Sequence, residues 1–140
     1  MESVLGQKKR NSLIRDAREF NLGWRIWMWL LSAVNLVAPL FFLGHPEAWG
    51  VLGCYFLAAA VMIPLHQRLG WVRLLGIAHF QWFVLLPWLI FRMLTDSPPT
   101  ALAVWVWALI LIDTVCLSID IVDVYRYLTG ERKPIVSSNR

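Results

Sequence analysis

The segment from Ala101 to Leu128, ALAVWVWALILIDTVCLSIDIVDVYRYL, is apolar enough to cross a bilayer yet carries three acids, Asp113, Asp120 and Asp123. About 20 residues suffice to span the hydrocarbon core, so this stretch has a turn to spare. At about 100° per residue, Asp113, Cys116, Asp120, Asp123 and Tyr127 fall within one stripe less than a quarter-turn wide. Above Asp113 the same stripe turns apolar through Leu109, Val106 and Leu102, which confines its polar part to the lower half. A carboxylate near the centre of a spanning helix costs about 2.5–3.5 kcal/mol on insertion scales, so it must face protein or water. Whatever chemistry the chain has lies between this helix and its neighbours.

Three further apolar blocks precede this one. Hydrophobic residues make up 59% of the 140, charged residues only 16%, and mean hydropathy is +0.58, a balance foreign to soluble domains. The blocks predict spans over residues 21–43, 48–66, 71–93 and 101–125, within a transmembrane domain of residues 21–128. The expected fold is all-α: an integral membrane four-helix bundle, up-down and antiparallel. Residues 1–20 are too charged for a signal peptide. Within them, Ser12 to Phe20 has the pattern of a short interfacial helix, with Leu13, Ile14, Ala17 and Phe20 on one face. Residues 129–140 read as an unstructured cytoplasmic tail.

Orientation follows from the basic residues. Twelve of the thirteen, all but Arg92, fall on one side of a four-span chain, which predicts cytoplasmic termini in a bacterial-type inner (plasma) membrane. The net charge of +4 therefore has its source in membrane anchoring, and no nucleic-acid partner is expected. The expected partners are the lipid bilayer and either another membrane protein or further copies of this chain. Gly50, Gly53 and Cys54 form a small-residue patch suited to close helix approach. Trp24, Trp49, Trp71, Trp88 and Trp105 sit near span ends, as interfacial anchors do, while Trp29 and Trp82 lie deeper. Cys54 and Cys116 belong to different depths, so no disulfide is expected.

Depth at about 1.5 Å per residue sorts the polar residues into three layers. The inner rim holds Arg25, Arg73 and Asp123, with Asp120 a turn deeper, and predicts ion pairs from Arg25 or Arg73, or both. The second layer holds His79, Gln81 and Cys116. His45 and His66 lie at the wrong depths to complete a bis-histidine haem site. The spacing of His79, Cys116 and Asp120 does not by itself demand a metal, and a histidine–carboxylate hydrogen bond between helices is the simpler expectation. No cofactor is expected. The deepest layer brings Asp113 level with Asn35, and Pro39 and Pro87 are expected to free the carbonyls of Asn35 and Phe83 near the same depth.

No paired-aspartate intramembrane protease pattern with its glycine context, H-E-x-x-H, G-x-S-x-G or phosphate-cradling glycine loop occurs, so no enzyme class is indicated. Two readings remain. The first is a non-enzymatic accessory or interaction protein whose polar core is architectural. The second is a small oligomeric proton- or cation-coupled transporter that uses Asp113 and His79. Both require the same topology. A single cysteine placed at Ser97 should label with an impermeant maleimide in intact cells, and one at Ser137 should not; the opposite result would invert the orientation.

Overall fold

The computed structural model describes Arg18 and residues 20–133, so the expected interfacial helix from Ser12 and the last residues of the tail lie outside the described residues. Among the described residues every regular element is helical. Helix α1 (Leu22–Ser32) starts at Asn21, whose side chain accepts a hydrogen bond from the Trp24 amide at 2.9 Å, satisfying one of the free amides of the first turn. It continues through a π-helical turn (Ala33–Val37) and a 3-10 segment (Ala38–Phe42). Helix α2 (Pro46–Leu69) has proline at its first position, where a missing amide hydrogen costs nothing, and ends at Gly70, whose φ of 73° suits glycine. A second 3-10 segment (Arg73–His79) precedes α3 (Trp82–Thr95), and α4 (Thr100–Leu128) closes the chain.

Three stretches, Leu22–Phe42, Pro46–Leu69 and Thr100–Leu128, are each long and apolar enough to cross a membrane. The expected third span is not one straight helix. It is the pair Arg73–His79 and Trp82–Thr95, bent by 43° at the break. Gln81 sits at this break and donates from Nε2 to the Cys54 carbonyl of α2 at 2.9 Å, which pins the bend to its neighbour.

The break is matched to a change of helical pitch. In a 3-10 helix side chains three apart eclipse one another, so Arg73, Gly76 and His79 stand in one row. That row lies along the acidic stripe of α4. A Cβ added at Gly76 would come within 2.9 Å of the Asp120 Cβ and 3.1 Å of its Cα, so only glycine lets the two backbones approach this closely. With Arg73 at the level of Asp123 and His79 at that of Asp120, the segment runs antiparallel to the lower half of α4.

The apolar core fills the other half of the molecule. Ala48 and Val51 of α2, Trp82, Leu85, Leu86 and Leu89 of α3, and Leu102, Val106 and Leu109 of α4 are buried together. Gly50 does what the small-residue patch predicts: an added Cβ would meet Leu85 at 3.1 Å and Trp88 at 3.3 Å. Gly53 is exposed with open space around it. Trp105 departs from the expected interfacial role. It is buried, stacks on Phe42 with ring centroids 5.0 Å apart, and donates from Nε1 to the Val34 carbonyl at 3.0 Å. The π-helical turn explains that bond. Its i to i+5 register aligns the Val34 carbonyl with Pro39, which has no amide hydrogen to give, and the indole takes that place. The carbonyl this proline leaves to the indole is thus one residue earlier than an α-helical count from Pro39 predicts.

Gly76→Ala should lower the thermal midpoint in detergent by an amount equivalent to about 1–3 kcal/mol, the usual cost of overpacking. Gly53→Ala should be neutral. Equal stability of the two variants would rule out the close approach at Gly76.

Candidate functional site

The lower half of α4 meets the rest of the protein through a ladder of polar contacts. At its foot Arg73 forms an ion pair with Asp123. Arg73 Nε also lies 3.5 Å from Glu131, which folds back past the end of α4 to meet Arg126 at 2.8 Å. The hydrogen bond from Arg126 holds the Glu131 carboxyl below the usual carboxylate range. The start of the predicted tail is therefore tied to the foot of α4 and to Arg73. Arg25 is exposed on α1 and forms no ion pair among the described residues, so the pairing falls to Arg73.

One turn deeper, His79 Nδ1 lies 2.8 Å from Asp120 Oδ2. The Cys116 thiol approaches the same oxygen at 3.7 Å. The expected histidine–carboxylate bond is thus present, with Asp120 partnered by His79 and not by an arginine. Both cysteines are free thiols.

Deeper still, Asn35 Nδ2 donates to Asp113 Oδ1 at 3.0 Å and to the Leu31 carbonyl at 3.0 Å. Both residues are buried. Asn35 Oδ1 and Asp113 Oδ2 are buried without a protein hydrogen-bond partner among the described residues. The π-helical turn holds the Asn35 side chain against α4, since Asn35 is the buried residue of that turn. Phe83, whose carbonyl Pro87 is expected to free, turns its side chain to the outside. Gln81, expected in the layer of His79 and Cys116, donates to the Cys54 carbonyl of α2.

A cavity of about 170 Å³ opens beside the deep pair, with Asn35, Asp113, Tyr55, His79 and Cys116 in its wall. A second cavity, of about 290 Å³, lies below it and is walled by Trp24, Trp27, Trp71, Arg73, Asp120 and Asp123. The two border one another at Leu31, Tyr55, Met62, His79 and Cys116. Polar groups therefore line one recess from the Arg73–Asp123 pair to the Asn35–Asp113 pair. The wall of this recess is mostly apolar, with carboxylate, imidazole and thiol groups set along it and aromatic side chains at its lower mouth. At that mouth Phe20 packs edge-on against Trp71, with centroids 5.0 Å apart.

A second polar cluster lies at the opposite end of the molecule. Glu47, almost fully buried at the start of α2, accepts from Arg92 Nε of α3 at 2.9 Å, and Arg92 also meets Asp96 at 2.6 Å. The sequence held a signal for it: Glu47 and Asp96 are the acids nearest to the one basic residue that falls on that side. Counting charges for orientation set Arg92 aside as a remainder, when its position opposite two acids marked a helix-to-helix tie.

Comparison with known protein families, curated proteins and solved structures returns no match, so the site is read from its own geometry.

A double-mutant cycle on Arg73→Ala and Asp123→Ala should show a coupling of about 0.5–3 kcal/mol in detergent unfolding. Arg25→Ala combined with Asp123→Ala should be additive. Coupling to Arg25 in place of Arg73 would reverse the assignment.

Proposed function

We propose that the protein is a small multi-pass membrane carrier that binds and relays protons or small cations through the recess beside α4. The reading takes the bent pair as a third span, giving four spans with both termini cytoplasmic in a bacterial-type inner membrane. One observation carries it. At mid-depth a carboxylate oxygen of Asp113 and the amide oxygen of Asn35 are buried without donors among the described residues, beside a cavity that borders the His79–Asp120 pair. Two acceptors held together in a low-dielectric interior favour a donor or a positive charge between them. His79 stands between this pair and the inner rim, where an imidazole can pass a proton on. Four spans give little room for a closed pathway within one chain, so the carrier works as a homo-oligomer.

The reading of a non-enzymatic accessory protein is supported by a different observation: each of the three acids already holds an interhelical partner, Asp113 with Asn35, Asp120 with His79 and Asp123 with Arg73. In that case the polar ladder fixes which helices adjoin, and a membrane-protein partner supplies the activity.

The two readings rank substitutions at Asp113 differently. In purified protein reconstituted into liposomes with an internal pH dye and an imposed gradient, the wild type should move protons or exchange cations for them. Asp113→Asn should abolish that flux while leaving the protein folded. If folded wild-type protein gives no more movement than empty liposomes, the carrier reading fails. For an architectural core the amide is tolerated, and Asp113→Leu is the harmful change, through loss of a bond worth about 0.6–2 kcal/mol.

A further inference from the structure

We infer that His79, Cys116 and Asp120 form an exchangeable site for a borderline-soft divalent metal ion, with zinc as the representative. The three residues come from two elements, yet a ring nitrogen of His79, Cys116 Sγ and an Asp120 carboxylate oxygen all lie within 4.8 Å of one another. Metal–ligand bonds of about 2.0–2.3 Å at tetrahedral angles place ligand atoms about 3.4–3.6 Å apart. The thiol-to-carboxylate separation of 3.7 Å already matches this. The imidazole-to-carboxylate separation of 2.8 Å has to open by about half an ångström for an ion to enter between them.

Ligand chemistry selects the ion. A thiolate and an imidazole disfavour magnesium and calcium, which want oxygen, and favour zinc and its neighbours. Charge favours the same outcome. A divalent ion with one thiolate, one carboxylate and a neutral imidazole forms a net-neutral group, the form that a membrane interior tolerates best. The binding step balances simply. The thiol proton leaves to solvent, the Nδ1 hydrogen that His79 donates to the Asp120 carboxylate is exchanged through solvent for one on Nε2, and the freed Nδ1, the thiolate and the carboxylate bind the ion.

The surroundings make the site exchangeable. Three protein ligands leave the fourth tetrahedral position open, the arrangement of sites that take a water or pass a ligand. His79 and Cys116 wall both cavities, so that open position faces the recess. Asp120 is held in place by the Gly76 backbone packed against it, which fixes one ligand before an ion arrives. The inference does not rest on transport, because a site of this kind binds metal whether or not the protein moves anything.

The test is a titration of the full chain in detergent with Co²⁺, which reports a thiolate ligand directly. Wild-type protein should develop a near-ultraviolet thiolate-to-cobalt band and the intense visible bands of tetrahedral cobalt, both removed by added Zn²⁺. Cys116→Ser, a near-isosteric change, should lose the charge-transfer band, whereas Cys54→Ser should keep it. His79→Ala and Asp120→Asn should each weaken binding by about tenfold or more. Near-ultraviolet circular dichroism of the tryptophans verifies that each variant is folded. The proposal is overturned if folded wild type shows no such band, or if the band survives in Cys116→Ser.

Discussion

A carboxylate inside a bilayer has to find its partner within the protein, and the lower half of α4 carries two besides Asp113. The rest of the structure is arranged around meeting that demand. The bent pair before α4 begins as a 3-10 helix, whose threefold repeat sets Arg73, Gly76 and His79 in a single row. An α-helix would spread the same three residues over about a third of a turn. The tighter pitch lets one cation, one gap and one imidazole meet Asp123 and Asp120 in succession. Gly76 is the gap, and its missing side chain is what allows two backbones to come close enough for the flanking contacts. The bend before α3 follows from the same fact: the pitch that suits the acidic stripe does not suit the apolar core, so the segment changes pitch and direction at Phe80 and Gln81.

Above this ladder the chain solves a different problem. Asn35 reaches Asp113 because a π-helical turn lies just before Pro39, and the turn and the proline together leave the Val34 carbonyl for the Trp105 indole. Two adjacent irregularities thus tie the first membrane segment to α4 through one polar and one aromatic contact. At the far end Glu47 and Arg92 tie α2 to α3. The charges that remain inside the fold are each spent on joining elements that do not adjoin in sequence. Such pairs specify neighbours more than they add stability.

That economy makes the exceptions informative. Where the ladder reaches mid-depth, an oxygen of Asp113 and one of Asn35 are without a donor among the described residues, beside a cavity. Where it reaches the middle layer, pairing is present but chemically richer than structure needs, with a thiol added to an imidazole and a carboxylate. Helix adhesion alone is served by the His79–Asp120 bond; the arrival of Cys116 turns an interhelical bond into a set of three metal-capable ligands. The carrier reading starts from the deep oxygens and uses His79 as its relay, whereas the metal site draws on the middle layer alone, so the two share that imidazole.

Much of this was legible in the chain by itself. The stripe of Asp113, Cys116, Asp120 and Asp123 on one face of the last helix, and the depth match between Asp113 and Asn35, follow from helical period and rise alone. The apolar blocks likewise determined where membrane segments lie, because only helices satisfy their own backbone in lipid. Tertiary structure decided the rest, at places where helical counting fails. Counting at an α-helical pitch cannot choose between Arg25 and Arg73 at the inner rim; the 3-10 row makes the choice. It misplaces by one residue the carbonyl that Pro39 frees, because the π-helical turn shifts the register. It assigns Trp105 to an interface by its position in the span, whereas the contact with Phe42 and Val34 draws it into the core. Local period is written in the order of residues. Changes of pitch are settled by what each segment has to meet on its neighbour.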